Sequence, residues 1–530
     1  MPSRSPRHPV LTRPLQSLLA PALTALLSLA LLASMAPAQT PAPGGEVAAT
    51  ASGLLRHGQI LLDTEDPLRA WDAFRRAAAS GGDGVDCQIG LGRSHLMLGR
   101  SAFAIAYAEA ALHAEPGRQD GMALCIRALI RARQFDDAVR RGSAFLLRTS
   151  EAGAELQAAR ASALFRVQRI EEAALGYRRV VAIEPLHAEG NLRLGSGLLP
   201  PMTLTIPAEL ETAVHFLAAG KRSEAVATLR AVLVRSPGHA IAHRLLGEAM
   251  FAERTAACMA TSDAAFLALS AAMPTPNVAS LPVAAFVPGY EQLSLGRRRV
   301  VDRTMAMFGR HLSKLVVVGG KHDLLRELER TTDGEARANL RGKRTFDGRV
   351  WDDVRGVGGV QAATGIEALD DAATFGFDTL AHEVAHQVHY FTFTPLQRAR
   401  IRALYSRALI EGRCLDYYAA SNEAEYFGQG VEAFASLGKR PGGETTHGHT
   451  RFELFAVDRE LHDFITEVVD FDPLQRPVVR ERVLEAAVAV ALRVGRCQDA
   501  VVAARMLSTG SSRDRLLVEA ERAVAATRCH

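Results

Sequence analysis

From residue 46 to residue 255 the apolar positions recur at helical spacing, one amphipathic stretch after another. The stretches DPLRAWDAF, SAFAIAYAEAAL, QFDDAVRR, IEEAALGYRRVV and RSEAVATLRAVL each carry a small residue early, at Ala70, Ala104, Ala138, Ala173 and Ala225. The first three are 34 residues apart, the fourth follows at 35 and the fifth after 52. Pro116, Pro185 and Pro237 stand twelve residues beyond three of these alanines, and Gly92 stands twelve before Ala104. Alanine at a helix crossing lets two backbones approach, and a proline past the second helix stops it. Two such helices cannot bury their apolar stripes alone, so the pattern predicts pairs stacked on pairs. The segment GSGLLPPMTLTIP, from Gly195 to Pro207, breaks the phase and predicts a loop.

Beyond this array the pattern changes. Ala260 to Pro282, rich in Ala, Ser, Thr and Pro, reads as a linker. The β-branched run from Lys314 to Lys321, closed by Gly-Gly, predicts a strand, and Val350 to Gln361 a strand pair or strand-loop. Helical spacing returns from Phe377 and persists through Pro477 to His530, with turns at Gly495-Arg496-Cys497 and Gly510-Ser-Ser. The 34-residue period resembles that of tetratricopeptide-repeat proteins over about 200 residues. That resemblance implies an α-solenoid, serving either to present a surface to a peptide or protein or as a spacer. The expected fold is mostly α. A tetratricopeptide-type array (46–255) leads through a linker (256–284) to an α+β domain (285–475), and a C-terminal helical hairpin closes the chain (476–530).

With 48% hydrophobic and 23% charged residues among 530, collagen-like and fully disordered readings fall away. The net charge is +4, but Arg4, Arg7 and Arg13 stand in an acid-free opening segment, and without those three the chain carries +1. Such a balance gives no electrostatic case for nucleic acid or for an anionic membrane. The opening segment itself has a basic start, an apolar run over residues 15–35 and Ala36-Pro37-Ala38 before Gln39. This is the form of a secretory signal peptide over residues 1–38, with an uncleaved anchor as the alternative. It predicts an exported chain, periplasmic or secreted, that meets a membrane only through this signal. Export allows disulfides among Cys87, Cys125, Cys258, Cys414, Cys497 and Cys529. Cys497 with Cys529, and Cys87 with Cys125, are the candidate pairs.

The chemistry concentrates at His382-Glu383-Val384-Ala385-His386, with Asp378 just before as a helix-starting residue. On a helix, positions i and i+4 differ by about 40° and rise about 6 Å, so both imidazoles leave one face. That spacing lets them share one Zn²⁺, and Glu383 follows at the position of the general base in H-E-x-x-H zincins. A third protein ligand is required. The position ten beyond His382 is Thr392, which excludes the metzincin pattern, and the inverted H-x-x-E-H order is absent. A downstream stretch from Tyr418 to Phe434 offers Glu423, Glu425 and Glu432. Glu423 lies about 200° around the helix from Glu425, so only one of those two can face the metal, while Glu425 and Glu432 share a face. His389, His447 and His449, and Asp458 and Glu460 as carboxylates behind a ligand histidine, are further candidates.

The pair of motifs resembles the metallopeptidase domain of the anthrax lethal factor type. H-E-x-x-H is followed by Tyr418, Asn422, Glu423, Glu425, Tyr426 and Phe427 in that family's order and spacing. The resemblance implies that Glu425 is the third zinc ligand and that Tyr418 is the phenol that stabilises the oxyanion or protonates the leaving group. The sequence departs where GQGVEAF intervenes, which makes Glu432 the heir to the family's later glutamate. The function expected is zinc-dependent peptide hydrolysis, with peptide or protein substrates and a protein partner on the array. The alternative is a non-catalytic envelope scaffold with a degenerate zincin domain.

Overall fold

The computed structural model describes residues 50–201, 205, 207–373, 376–439 and 448–528; side chains at 257–259, 261, 371–373 and 526–528 are not described. The signal segment, His447 and Cys529 lie outside the described residues, as does the side chain of Cys258. Five helix pairs occupy the repeat region: Ala51–Asp63 with Pro67–Ala79, Gly84–Met97 with Ser101–Ala114, Gln119–Arg131 with Phe135–Leu146, Ala154–Arg166 with Ile170–Ile183, and Ala208–Ala218 with Arg222–Arg235. Ala70, Ala104, Ala138, Ala173 and Ala225 are all fully buried at the crossings. Each pair turns through one left-handed residue, at Glu65, Gly99, Arg133, Gln168 and Gly220. After each, an amide bonds back to the preceding helix: Asp66 to the Leu61 carbonyl, Arg100 to His95, Gln134 to Leu129, Arg169 to Leu164 and Lys221 to Phe216. This is a helix stop in which the backbone caps its own orphan carbonyls. The segment expected to loop after Gly195 leaves helical geometry at Ser196 (φ −109°, ψ 40°) and at Gly197 (φ 90°). There Gly195 lies against the backbone of Arg244, where a methyl would meet the Arg244 nitrogen at 2.3 Å.

The predicted linker is largely helical, because Ala240–Ala272 runs unbroken for 33 residues. Its alanines favour helix, and Phe266, Leu269 and Ala272 bury themselves against Val483, Leu484 and Ala487 of the tail. The run predicted as a strand from Lys314 is the end of helix Gly309–Val317. His311, Leu312 and Leu315 share its buried face, while Val317 is exposed. Only after Gly319 and Gly320 does β1, Lys321–Leu325, begin. β2 (Gly356–Val357) and β3 (Gln361–Gly365) complete a sheet of order β1-β3-β2, with β1 parallel and β2 antiparallel to β3. The described chain is mostly helical, and the α+β character expected for residues 285–475 reduces to this one small sheet.

The sheet is pinned to helix Thr379–Phe391. The Gln387 amide donates to the Lys321 and Val360 carbonyls at 2.9 and 3.2 Å. Buried His322 lies between Gln387 (3.0 Å) and Thr364 (2.9 Å). The tail is three helices rather than a hairpin: Pro477–Arg493, Cys497–Met506 and Ser511–Arg528. Its first turn repeats the array's stop, with Gly495 left-handed and the Arg496 amide on the Ala491 carbonyl. Cys87, Cys125, Cys414 and Cys497 are buried free thiols, so the expected Cys87–Cys125 bridge is not formed. Each belongs to a hydrophobic cluster, as unpaired cysteines commonly do, and Cys125 also accepts from the Arg141 guanidinium at 3.6 Å. Among the described residues no helix is long and apolar enough to cross a membrane.

Candidate metal centre

Helix Thr379–Phe391 starts where Asp378 accepts the Ala381 amide at 2.9 Å. Leu380, Ala381, Val384, Ala385 and Val388 are fully buried in the core. That apolar face fixes the opposite one, which carries His382, Glu383 and His386. Helix Glu423–Ala435 starts at Asn422, whose side chain accepts the amides of Ala424 and Glu425 at 3.0 Å each. Tyr426 donates to Asp458 at 2.5 Å, and Phe427 packs within 5.5 Å of the Phe393 ring. Gly428 lets the two helices close: a methyl there would stand 2.9 Å from Cε1 of both His382 and His386.

The result is a triangle of ligand atoms. The two histidine Nε2 atoms are 3.0 Å apart, and Glu425 Oε2 lies 3.1 Å from His382 Nε2 and 3.4 Å from His386 Nε2. Bonds of about 2.0–2.1 Å in tetrahedral array put ligand atoms roughly 3.3–3.4 Å apart. The edges found are close to that, so the donor set fits a small divalent cation. Burial alone would raise the Glu425 carboxyl, but hydrogen bonds from both histidines outweigh it and hold the carboxyl below its usual range. Burial pushes Glu383 up to about 7, with His386 opposing and the charge of Glu425 adding to it. The backbone beside β2 closes over Glu383: a methyl on Gly356 would meet its Oε1 at 2.7 Å.

The other glutamates go elsewhere. Glu423 faces Arg402 at 3.9 Å. Glu432 is fully buried, accepts the Asp378 amide at 2.9 Å and pairs with Lys439, so it braces the start of the histidine helix. Asp458 and Glu460 do not back the ligand histidines, whose Nδ1 atoms find no partner among the described residues. Both carboxylates pair with Arg413. His389 is a buried core histidine, lowered to about 4 by its burial. His449, a further candidate from the sequence, is instead buried between Asp416 (3.3 Å) and Glu453 (3.0 Å). Burial opposes its proton, but the two carboxylates win and raise it to about 10.

Tyr418 lies in the turn before Asn422, its ring 5.6 Å from that of Phe346. Burial lifts its phenol well above the usual range, and the charges of Glu425 and Glu383 add to this. Arg349 opposes them, and the same guanidinium acts on Glu383. Sequence reading missed Arg349 and Gly428. Gly428 sits three residues after Glu425, on the turn that must pass the histidines; Arg349 has no motif around it.

Residues 55–118 and 210–257 match the tetratricopeptide repeat family. No curated protein matches the chain. Among solved structures, a thermophilic TPR protein of Thermus thermophilus is 18% identical, with a TM-score of 0.27, over 38% of this chain and 100% of that one. Yeast Tom70 is 13% identical with a TM-score of 0.22, over 90% of this chain and 96% of that one. The family match falls where the sequence repeats, and the N-terminal region of this chain is therefore built of tetratricopeptide repeats, a fold that suits protein partners.

Proposed function

We propose that the chain is an exported zinc-dependent metallopeptidase with a repeat array for protein binding. The observation that carries this reading is the convergence of His382, His386 and Glu425 on one point, with Glu383 beside them. Lone pairs this close repel unless protons or a cation join them. His382, His386 and Glu425 would hold the zinc, which when bound supplies Lewis acidity and an acidified water. Glu383, buried and raised to about 7, is poised to take a proton near neutral pH and return it to the leaving amine. Tyr418 keeps its proton throughout this range and is the donor for a carbonyl oxygen that turns anionic.

A second reading is a non-catalytic envelope scaffold, favoured by the family match, which is confined to the repeats. Zinc analysis followed by digestion of a peptide library, with and without chelator, separates the two. The expected result is about one zinc per chain and chelator-sensitive cleavage that Glu383→Gln abolishes while keeping the zinc. Wild-type cleavage by Glu383→Gln overturns the mechanism, and zinc without any cleavage by the wild type selects the scaffold.

A further inference from the structure

The left-handed turns at Glu65, Gly99, Arg133 and Gln168 recur at 34, 34 and 35 residues, so they line one edge of the array. That edge is not free. At the first turn, Glu65 pairs with Arg254 at 3.2 Å, and Asp66 stands 3.9 Å from Arg493 of the tail. At the second, Leu98 packs under Gly495. The third and fourth turns reach the candidate site. Arg133 donates to the Cys414 carbonyl at 2.5 Å, and the Phe135 ring meets Tyr417 edge-on at 5.8 Å. The buried Arg166 guanidinium lies over the same Tyr417 ring at 4.7 Å. Ile170 fills the space at Gly348, where a methyl would meet its Cγ1 at 2.5 Å, and the Val350 amide donates to the Gly197 carbonyl at 2.8 Å. At the fifth turn, by contrast, nothing lies within 4 Å of a methyl built on Gly220.

The two segments held this way are the ones that carry Tyr418 and Arg349. We infer that the third and fourth repeats are an internal clamp that positions the phenol and guanidinium side of the site, with Arg166 as the central positioning residue acting through Tyr417. This rests on the hydrolase reading above for its consequence in turnover, but not for the clamp itself. A guanidinium stacked on a ring orders both partners, and here the ring's neighbour in sequence is the candidate oxyanion donor. The array thus has a use within its own chain, besides any partner it binds.

The test uses the full chain loaded with zinc, as wild type, Arg166→Ala, Arg166→Lys and Lys221→Ala, the last in the free fifth turn. Hydrogen–deuterium exchange is read first, because it needs no turnover. Arg166→Ala is expected to speed exchange in residues 411–422 about 10-fold and to leave residues 379–391 unchanged. Arg166→Lys retains most of the protection, and Lys221→Ala changes neither segment. On a peptide the wild type cleaves, Arg166→Ala lowers kcat roughly 10-fold with KM and zinc content unchanged. Unchanged exchange in residues 411–422 overturns the clamp, and faster exchange with unchanged kcat overturns its positioning of the phenol. A wild type that cleaves nothing overturns the hydrolase reading instead, and the exchange data alone then decide the clamp. If Arg166→Ala does not fold, Arg133→Gln removes the bond to the Cys414 carbonyl and is read in the same two ways.

Discussion

On one side of the site the ligand atoms ride on two helices that share a core: Val384 and Val388 of one helix and Phe427 and Val431 of the other are fully buried together. On the other side Tyr418 and Arg349 stand on turns, held by side chains from residues 133–170 and by buried His449. The first side is fixed by local signals, an Asp378 cap and an Asn422 cap, and by packing within one region. The second is fixed from far along the chain. The metal side and the phenol side can therefore fail separately, and a substitution on one side need not disturb the other.

The largest effect is expected on the metal side. His386→Ala removes one of three ligands and leaves a cavity in a buried face. Zinc affinity should fall by more than about 100-fold, since even a partner behind a ligand is worth 10- to 100-fold. Metal analysis after dialysis, with a melting curve, checks this; retained stoichiometric zinc would rule out the triad as the site. Glu383→Gln comes next. Its zinc stays and its turnover drops by about 10²- to 10⁴-fold, the range for a lost general base, measured as kcat on a cleaved peptide.

Tyr418→Phe tests the other side alone. Loss of one oxyanion donor costs about 10²–10³ in kcat, with zinc content and melting temperature close to wild type. A zinc loss in Tyr418→Phe would mean that the two sides are one unit after all. Gly428→Ala is smaller and runs the opposite way. Its methyl, 2.9 Å from both imidazoles, pushes on the ligands and not on the phenol. Overpacking of this kind costs about 1–3 kcal/mol, so a weaker zinc affinity with an unshifted kcat at saturating zinc is expected.

The same contrast governs what the sequence discloses. The array is legible because a structural need, Ala at each crossing, returns at 34 or 35 residues through its first four pairs, and because Pro returns with it in three of the five. The histidine pair on one helix is legible because four residues make one turn. Composition misleads where it replaces spacing: the Ala- and Ser-rich stretch after residue 260 reads as a linker, although Phe266 and Leu269, three apart, mark a buried helical face. The β-branched residues near 316 suggest a strand, although His311, Leu312 and Leu315 have helical spacing. Arg349 and Arg166 are illegible for another reason. Their meaning lies in partners some 34 to 251 residues away, and no local pattern encodes a contact made only after the chain has folded.

The smallest effect on turnover, and the one that most sharpens the comparison, concerns His449. It holds Asp416, two residues before Tyr418, and Glu453 faces it as well. Arg496 stands 3.6 Å from Glu453 and 3.6 Å from Asp499, and the Arg131 guanidinium acts on Glu453 and Asp416, so the cluster is three bases against three acids. The imidazole's folded value, about 10, lies above the unfolded value of about 6.5. A raised value means that the folded state holds the proton more tightly. Its contribution to stability is therefore complete below pH 6.5 and declines as pH rises toward and through 10. Because other groups titrate over the same range, the informative quantity is the difference between wild type and His449→Gln. The wild-type advantage in melting temperature should be largest near pH 6, shrink by several degrees by pH 9.5, and be accompanied by faster exchange in residues 411–422 but not in 379–391. A pH-independent difference would mean that His449 is neutral in the folded chain, and the phenol side would then depend on the repeats alone.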